Sequence, residues 1–464
     1  MLYLVKPSSR RMIITSLAPL GEVVFMKHAS KKFAVLSITV DNSWSFEDLT
    51  PSQTSYITHS YHRYPAKFIP QLAARVILEN SLQGDLVCDP FMGSATTLVE
   101  TIVHDRKAYG TDINPVAALI ARAKTTPIAP AFLEKEVKQI LRDLHFVIEK
   151  DQKQMRLTDH RGKPFEIKTL DNPRIDYWFP EKQKQDLAII LSRINAVKDP
   201  KIRDFLLCGF SNILKLCSRW LMKSVKPTID KDKLIADAYK SFSTQAGRML
   251  KKNEEFFALV GQKQIECIVD NVDARRMNLK NNSVTLIVTS PPYVTSYEYA
   301  DLHQLSALWL EYTRSLPEFR KGFIGSVQKE NGPRKLYSNL GKETIEELHE
   351  ISKREANGVT QYFYEMQQCF EEMYRVLEEG GRAAIVVGDT DLRKVKIQNA
   401  IVFIETMEAI GFKRHDVILR PIPSKILPLT RDEKTGKFTS KISADRHAYP
   451  TEHIIIMEKT IKKG

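Results

Sequence analysis

The chain has 464 residues, 43% of them hydrophobic, enough for one large domain with insertions or for two or three domains. Its 69 lysines and arginines against 56 acids give a net charge of +13 and a pI near 9.3, which suits a polyanionic partner, most simply nucleic acid. The five cysteines form no CxxC pair and no regular framework, which argues against a structural zinc site and for reduced thiols in a cytoplasmic protein. No apolar run nears the ~18–20 residues of a membrane span, and no signal peptide is expected at the amino terminus.

Residues 1–55 read as an amino-terminal extension, with a strand over 33–40 (FAVLSITV) and with Trp44 and Phe46 packing on the main domain. The stretch 58–70 (THSYHRYPAKFIP) is dense in aromatics and prolines and forms a rigid wall for a flat ligand. A helix follows over 71–80, with Leu72, Val76 and Ile77 on one face. His59 and His62 have no carboxylate or cysteine nearby in sequence to complete a metal set, so no metal site is expected. Residues 85–100 (DLVCDPFMGSATTLVE) read as a short buried strand, a turn at Asp89-Pro90-Phe91, and a helix opened by Gly93-Ser94-Ala95-Thr96-Thr97. Strand, glycine loop and helix amino terminus make the cofactor-holding geometry of doubly wound folds. The loop lacks GxGxxG, and Asp89 would repel a pyrophosphate, so a cofactor with a cationic end is expected. A second strand over 107–111 (KAYGT) ends at Asp112, a spacing that suits a carboxylate binding ribose hydroxyls; Asp112-Ile113-Asn114-Pro115 is also a good turn and N-cap.

Residues 131–264 carry no motif. They show three helical patterns, around 187–194, 205–214 and 246–256, and hold 27 basic residues against 18 acids. A basic helical insertion of this kind suits a polyanionic partner such as nucleic acid; a helical cover with a solvated charged face is the other reading. A third core strand is expected over 265–269, then Asp270 and Asp273. The apolar run 284–288 reads as a buried strand whose carboxyl end turns out rigidly through Ser290-Pro291-Pro292-Tyr293, since two prolines forbid both ladder and helix. That turn offers a hydroxyl, a fixed carbonyl and an aromatic face, a set that can grip a planar group bearing an exocyclic amine. Residues 311–360 read as a mobile polar loop over the substrate. After it come a helix over 362–377, a strand over 382–388, a helix over 401–410, and closing antiparallel strands at 417–419 and 453–457. The basic stretch 424–449 reads as a phosphate-contacting loop or an exposed hairpin tip.

Taken together, the DPFMGSA and SPPY segments resemble the amino-group DNA methyltransferases that use S-adenosylmethionine. The resemblance covers about 59–125, 266–300 and 361–458. It implies an α/β fold, a doubly wound Rossmann-like class I methyltransferase sheet with a helical insertion. The core would be divided into a first part at 56–130 and a second at 265–464, and the basic insertion at 131–264 would contact DNA as a candidate target-recognition element. HRYPAKFIP looks like the family's additional cofactor motif, which implies cofactor contacts from Tyr64, Pro65, Lys67 and Phe68. The loop implies contacts from Asp89, Pro90, Phe91, Gly93, Ser94 and Thr96, and the second strand end contacts from Asp112 and Ile113. Asp273 with Ala274 would meet the adenine end, with Asp270 as a substitute. Ala95 stands where the pattern more often has glycine; tighter packing and no loss of cofactor are expected there.

By this resemblance Ser290, Pro291, Pro292 and Tyr293 are the catalytic turn. Tyr293 would stack on a flipped base while Ser290 and the Pro291 carbonyl accept hydrogen bonds from its amine. No cysteine follows a proline as a C5-cytosine nucleophile would. Serine at the first motif position leans toward the N4 amine of cytosine over the N6 amine of adenine. The implied partner is double-stranded DNA; a cognate restriction endonuclease, and monomer against dimer, stay open. Two rival readings are an RNA guanine-N2 methyltransferase and a catalytically silent DNA-binding protein on the same scaffold.

Overall fold

The computed structural model describes residues 38–65, 67–149, 156–158, 164–168, 170–294, 299–325, 335–422, 430–431, 438–439, 446–447 and 451–461. Its centre is a seven-stranded sheet built from β1 (Leu86–Asp89), β2 (Lys107–Thr111), β3 (Cys267–Asp270), β4 (Val284–Thr289), β5 (Leu377–Val387), β6 (Phe412–Pro421) and β7 (Thr451–Lys459). The order is β3-β2-β1-β4-β5-β7-β6. The first five run parallel, while β7 pairs antiparallel with both β5 and β6. The strand order reverses direction between β1 and β4, so their carboxyl ends open the crevice where such sheets bind ligands.

Sequence explains the centre of the sheet well. All but one residue of β4 (VTLIVT) is buried, the continuous apolar run expected of a parallel strand covered on both faces. The third strand departs from expectation: β3 pairs only with β2 and is the sheet edge, and Ile268 is 41% exposed. An apolar pentapeptide alone does not distinguish a central strand from a terminal one. The closing antiparallel pair stands where it was expected but is longer at both ends.

Helix α1 (Pro70–Asn80) starts with proline at its first position, where the missing N–H costs nothing. It lays Leu72, Val76 and Ile77 on the sheet together with Trp44. The Trp44 ring is covered by the Arg75 guanidinium 3.7 Å above its centroid, so Trp44 packs on the main domain as expected. Helix α2 (Thr96–Val103) follows β1 and α3 (Pro115–Thr125) follows β2, the latter capped by the Asn114 side chain. The insertion forms α4 (Pro130–Glu149), α5 (Pro173–Trp178), α6 (Glu181–Asn195), α7 (Pro200–Ile213) and α8 (Ala238–Val260). Its apolar faces share one cluster with Tyr61, Val116, Ile120 and Trp309. The bundle is therefore built into the sheet's own helical layer.

Between β4 and β5 the chain forms α9 (Tyr299–Leu302), α10 (Gln304–Trp309), α11 (Leu316–Lys321), α12 (Asn339–Ile351) and α13 (Lys353–Val376). The mobile loop expected over 311–360 is thus corrected: its described residues are largely helical, and α12 buries Leu340, Thr344 and Leu348 on one side. Helix α13 starts nine residues before the expected 362. Ser352 accepts from Glu355 N at its start, the Ser-x-x-Glu pattern of a capping box. After β5 a two-stranded hairpin, Thr390–Leu392 with Val395–Ile397, precedes α14 (Asn399–Ile410). Residues 33–37 of the expected first strand lie outside the described residues. So does the basic stretch 424–449, apart from the short paired strands Thr430–Arg431, Phe438–Thr439 and Arg446–His447. No helix among the described residues is long and apolar enough to cross a membrane.

Candidate active site

The carboxyl ends of β1, β2 and β4 open into a cavity of about 700 Å³. Sixteen of the eighteen site residues named from sequence border it; Pro65 and Pro291 do not, Pro291 being buried in the turn. Segments far apart in the chain, the glycine loop and the Ser290–Tyr293 turn among them, are thereby drawn around one space.

At the loop end, Asp89 is buried and accepts from Phe91 N (3.1 Å) and Thr289 Oγ1 (2.6 Å). Asp112 accepts from Gly93 N (3.1 Å) and Asn114 N (2.8 Å), which binds the second strand end to the loop. Burial pushes both carboxyls up to about 6, and Asp89 adds to the shift at Asp112 by like-charge repulsion. The loop needs glycine at 93: φ is +43°, and a Cβ there would sit 3.2 Å from the Tyr64 ring. Tyr64 in turn packs on His303, ring centroids 4.8 Å apart. Beneath the loop, the buried Lys124 Nζ donates to Ser94 O at 2.6 Å; burial holds this amine well below its ordinary value.

Ala95 stands at the N-cap of α2. It has φ 59° and ψ 32°, left-handed backbone that costs an L residue about 1–2 kcal/mol. The glycine usual at this place relieves backbone strain; the extra methyl is fully buried without forcing the loop open.

At the far wall, Arg275 Nε lies 2.9 and 3.0 Å from the two Asp273 carboxylate oxygens, while its Nη1 reaches Glu365 Oε1 at 2.9 Å. Glu365 also accepts from Gly325 N (2.7 Å), so α13 holds both Asp273 and the 322–325 segment against the cavity. Asp270, expected as a substitute for Asp273, does not border the cavity; it accepts from Tyr109 Oη (2.8 Å) and Asn278 Nδ2 (3.2 Å).

The Ser290–Tyr293 turn is gripped from two sides. Tyr362 Oη on α13 donates to Pro292 O at 2.7 Å. Tyr293 Oη donates to Glu452 Oε2 on β7 at 3.3 Å, and Ser290 hydrogen-bonds the same phenol. Glu452 is held in turn by Arg420 Nη1 of β6 at 2.5 Å, and Arg420 also donates from Nε to Trp44 O at 2.8 Å. Gly388, at the end of β5, backs the Tyr293 ring so closely that a Cβ would lie 3.3 Å from its Cε2.

The two histidines of the 58–70 stretch have structural partners. His59 Nε2 lies 2.6 Å from Glu100 Oε1, which also accepts from Tyr56 Oη at 2.6 Å. Burial lowers His59 to about 4 against the pull of Glu100. For Glu100 burial acts upward, but hydrogen bonds from His104, His59 and Tyr56 outweigh it and hold the carboxyl at about 2. His62 Nε2 lies 2.9 Å from Ser211 Oγ of α7. Among the described residues no cluster of His, Cys, Asp or Glu could hold a metal ion.

Sequence reasoning missed Lys226 and Pro227 from the α7–α8 loop, Tyr362 of α13 and Arg393 of the hairpin as parts of the cavity wall, while Gly322 to Gly325 and Arg354 fall in the 311–360 segment expected over the substrate. Only α13 carried a local signal, its capping box.

This sheet order, with the cavity at the reversal point and a glycine loop beside it, defines a doubly wound, Rossmann-like α/β fold. Residues 26–123 match the family described as DNA methylase. The Type II methyltransferase M.MvaI of Kocuria varians is 26% identical over 454 residues, 92% of this chain and 97% of that protein. The Type II methyltransferase M.BsoBI of Geobacillus stearothermophilus is 22% identical over 402 residues, 76% of this chain and 78% of that one. A solved Thermus thermophilus protein, described as a DNA modification methylase and complexed with S-adenosyl-L-methionine, is 19% identical. It matches 41% of this chain and 55% of its own, with a TM-score of 0.20 that adds nothing to the argument. Over almost its whole length the chain is thus similar to Type II DNA methyltransferases, and its first part matches the DNA methylase family.

Proposed function

We propose that this protein is a site-specific Type II DNA methyltransferase that methylates the exocyclic N4 amine of cytosine in double-stranded DNA, as the modification partner in a restriction-modification system. The observation that carries the reading is the Ser290–Tyr293 turn, clamped by Tyr362 and Glu452 on the same cavity that Asp89 and Asp112 border.

The residues present fit S-adenosylmethionine. A buried carboxyl, Asp89, and a half-buried one, Asp112, both held near 6, favour a cationic ligand, and the close approach of Gly93 to the Tyr64 ring leaves a shallow cradle. Asp89, Asp112 and Asp273 would hold the cofactor with Tyr64, Phe68 and the loop residues. When bound, it supplies an electrophilic methyl group on a sulfonium sulfur. This chain's own contribution is at the acceptor end. Ser290 accepts a hydrogen bond from the amine, and Tyr293 offers a ring face to an extruded base. The bond to Glu452 and the backing by Gly388 keep that ring from swinging with the turn. Such pre-positioning lowers the barrier by orientation instead of by a covalent intermediate.

Serine at 290 favours cytosine, because a neutral hydroxyl accepts more weakly than a carboxylate and suits an amine that needs less assistance. The test is mass spectrometry of nucleosides from DNA of cells expressing the protein, with Ser290→Ala as control. N4-methylcytosine only with the intact protein is the expected result. N6-methyladenine in its place overturns the base assignment, and neither mark overturns the DNA assignment and turns attention to RNA.

A further inference from the structure

The hairpin that follows β5 has a tip whose backbone runs against its side chains. Between Thr390–Leu392 and Val395–Ile397 the loop consists of Arg393 and Lys394 alone, with φ of 51° and 71°. A two-residue hairpin loop with both residues left-handed has the backbone signs of a type I′ turn, which asparagine and glycine fill without strain and long L side chains do not. Both side chains are exposed, so apolar packing does not account for their length. Arg393 reaches Glu355 at 2.9 Å, but at 62% exposure this ion pair adds little to stability. A strained tip of this kind is maintained where the side chains have work outside the fold.

The location says what that work is. Arg393 borders the same cavity as Tyr293, and so do Arg354 at the start of α13 and Lys226 of the helical insertion, both exposed. Three segments distant in sequence thus bring cations to one cavity. The acids at its edge are partnered: Glu355 with Arg393, and Asp301 with Arg320 Nε at 3.1 Å. A guanidinium beside an ammonium suits phosphate oxygens, which accept charge-assisted and bidentate bonds.

We propose that the Arg393–Lys394 tip is a phosphate clamp that grips the DNA backbone beside the nucleotide entering the cavity, with Lys226 holding the backbone from the insertion. This rests on the DNA reading above and adds to it which elements touch the duplex at the cavity.

The test uses the full chain carrying Arg393→Asn with Lys394→Gly, which keeps the turn, removes its strain and removes its charge. Affinity for a mixed-sequence DNA duplex is followed by fluorescence anisotropy over a salt series, with cofactor binding as the control for folding. The expected result has two opposed signs: the melting temperature rises while DNA affinity falls, and the slope of log Kd against log salt shrinks by about 2, one phosphate contact for each cation removed. Lys226→Gln, made separately, shrinks the slope by about 1. Variants whose affinity and slope match the parent overturn the clamp, and so does weaker binding with an unchanged slope, since that reports altered shape and not lost phosphate contacts. If the parent protein itself binds no duplex, the DNA reading fails first, and with it the clamp.

Discussion

Asp89 and Asp112 are the residues whose protonation links fold to ligand. In an unfolded chain aspartate titrates near 3.9, whereas burial pushes both up to about 6 here. Between about pH 4 and 6 the fold therefore holds protons that the unfolded chain has lost. Their contribution to stability is full below about pH 4 and is lost as pH rises through 6, about 3 kcal/mol for the fully buried Asp89. A cationic ligand reverses the preference, because it favours the ionised carboxylates. Cofactor affinity is expected to climb between about pH 5 and 7, with proton release on binding below pH 6. Calorimetry in two buffers of different ionisation enthalpy measures both, and a flat affinity would place the cationic end elsewhere. Ala95 gives a second expectation at this scale. Ala95→Gly removes left-handed strain and should stabilise the protein by up to about 1 kcal/mol in urea denaturation, part of the gain being offset by the freer unfolded chain.

Among the elements, the antiparallel pair β6–β7 does more than close the sheet. Arg420 and Glu452, 5% and 12% exposed, form a buried ion pair that faces Tyr293. Removing one partner strands the other, so Arg420→Met is expected to cost about 3–5 kcal/mol in denaturant unfolding. Arg420→Met with Glu452→Leu should cost much less, and equal losses in both would show that the pair's burial is not what matters. How far each element was legible follows from the range of its causes. Strands β1, β2 and β4 and their loops were read from adjacent residues, because Pro-Pro turns and a glycine-opened helix act locally. The start of α13 was missed although Ser352 and Glu355 announce it; its first turns are polar, and the ion-pair partner of Glu355 is Arg393, which sequence does not place beside it.

At the scale of the molecule, the insertion is part of the structural core. Leu133, Phe205, Phe210 and Phe242 bury against the same cluster as Val116 and Trp309, and each such large apolar side chain contributes about 1.5–3 kcal/mol by burial. Excising 131–264 is therefore expected to leave a chain that does not fold, checked by circular dichroism and by the absence of a cooperative melt; a folded product would make the bundle a detachable module. The composition of this region was legible as basic and helical, but its packing was not, since helical periodicity shows that a face is buried and not what it is buried against. The cavity followed the same rule. Its glycine loop and its Ser290–Tyr293 turn were written in short motifs, while Lys226, Tyr362 and Arg393 reach it only through the tertiary fold.

The carbonyl of Trp44 and the phenol of Tyr293 stand two side chains apart, joined through Arg420 and Glu452. A protease nick in the 38–49 segment would loosen that junction while the sheet and its cofactor loop stay intact. In an assay such a clipped sample would keep its ligand-induced rise in melting temperature and lose turnover, imitating a point mutation in the catalytic turn. Intact mass should accordingly be confirmed before any loss of methylation is assigned to a residue of the cavity.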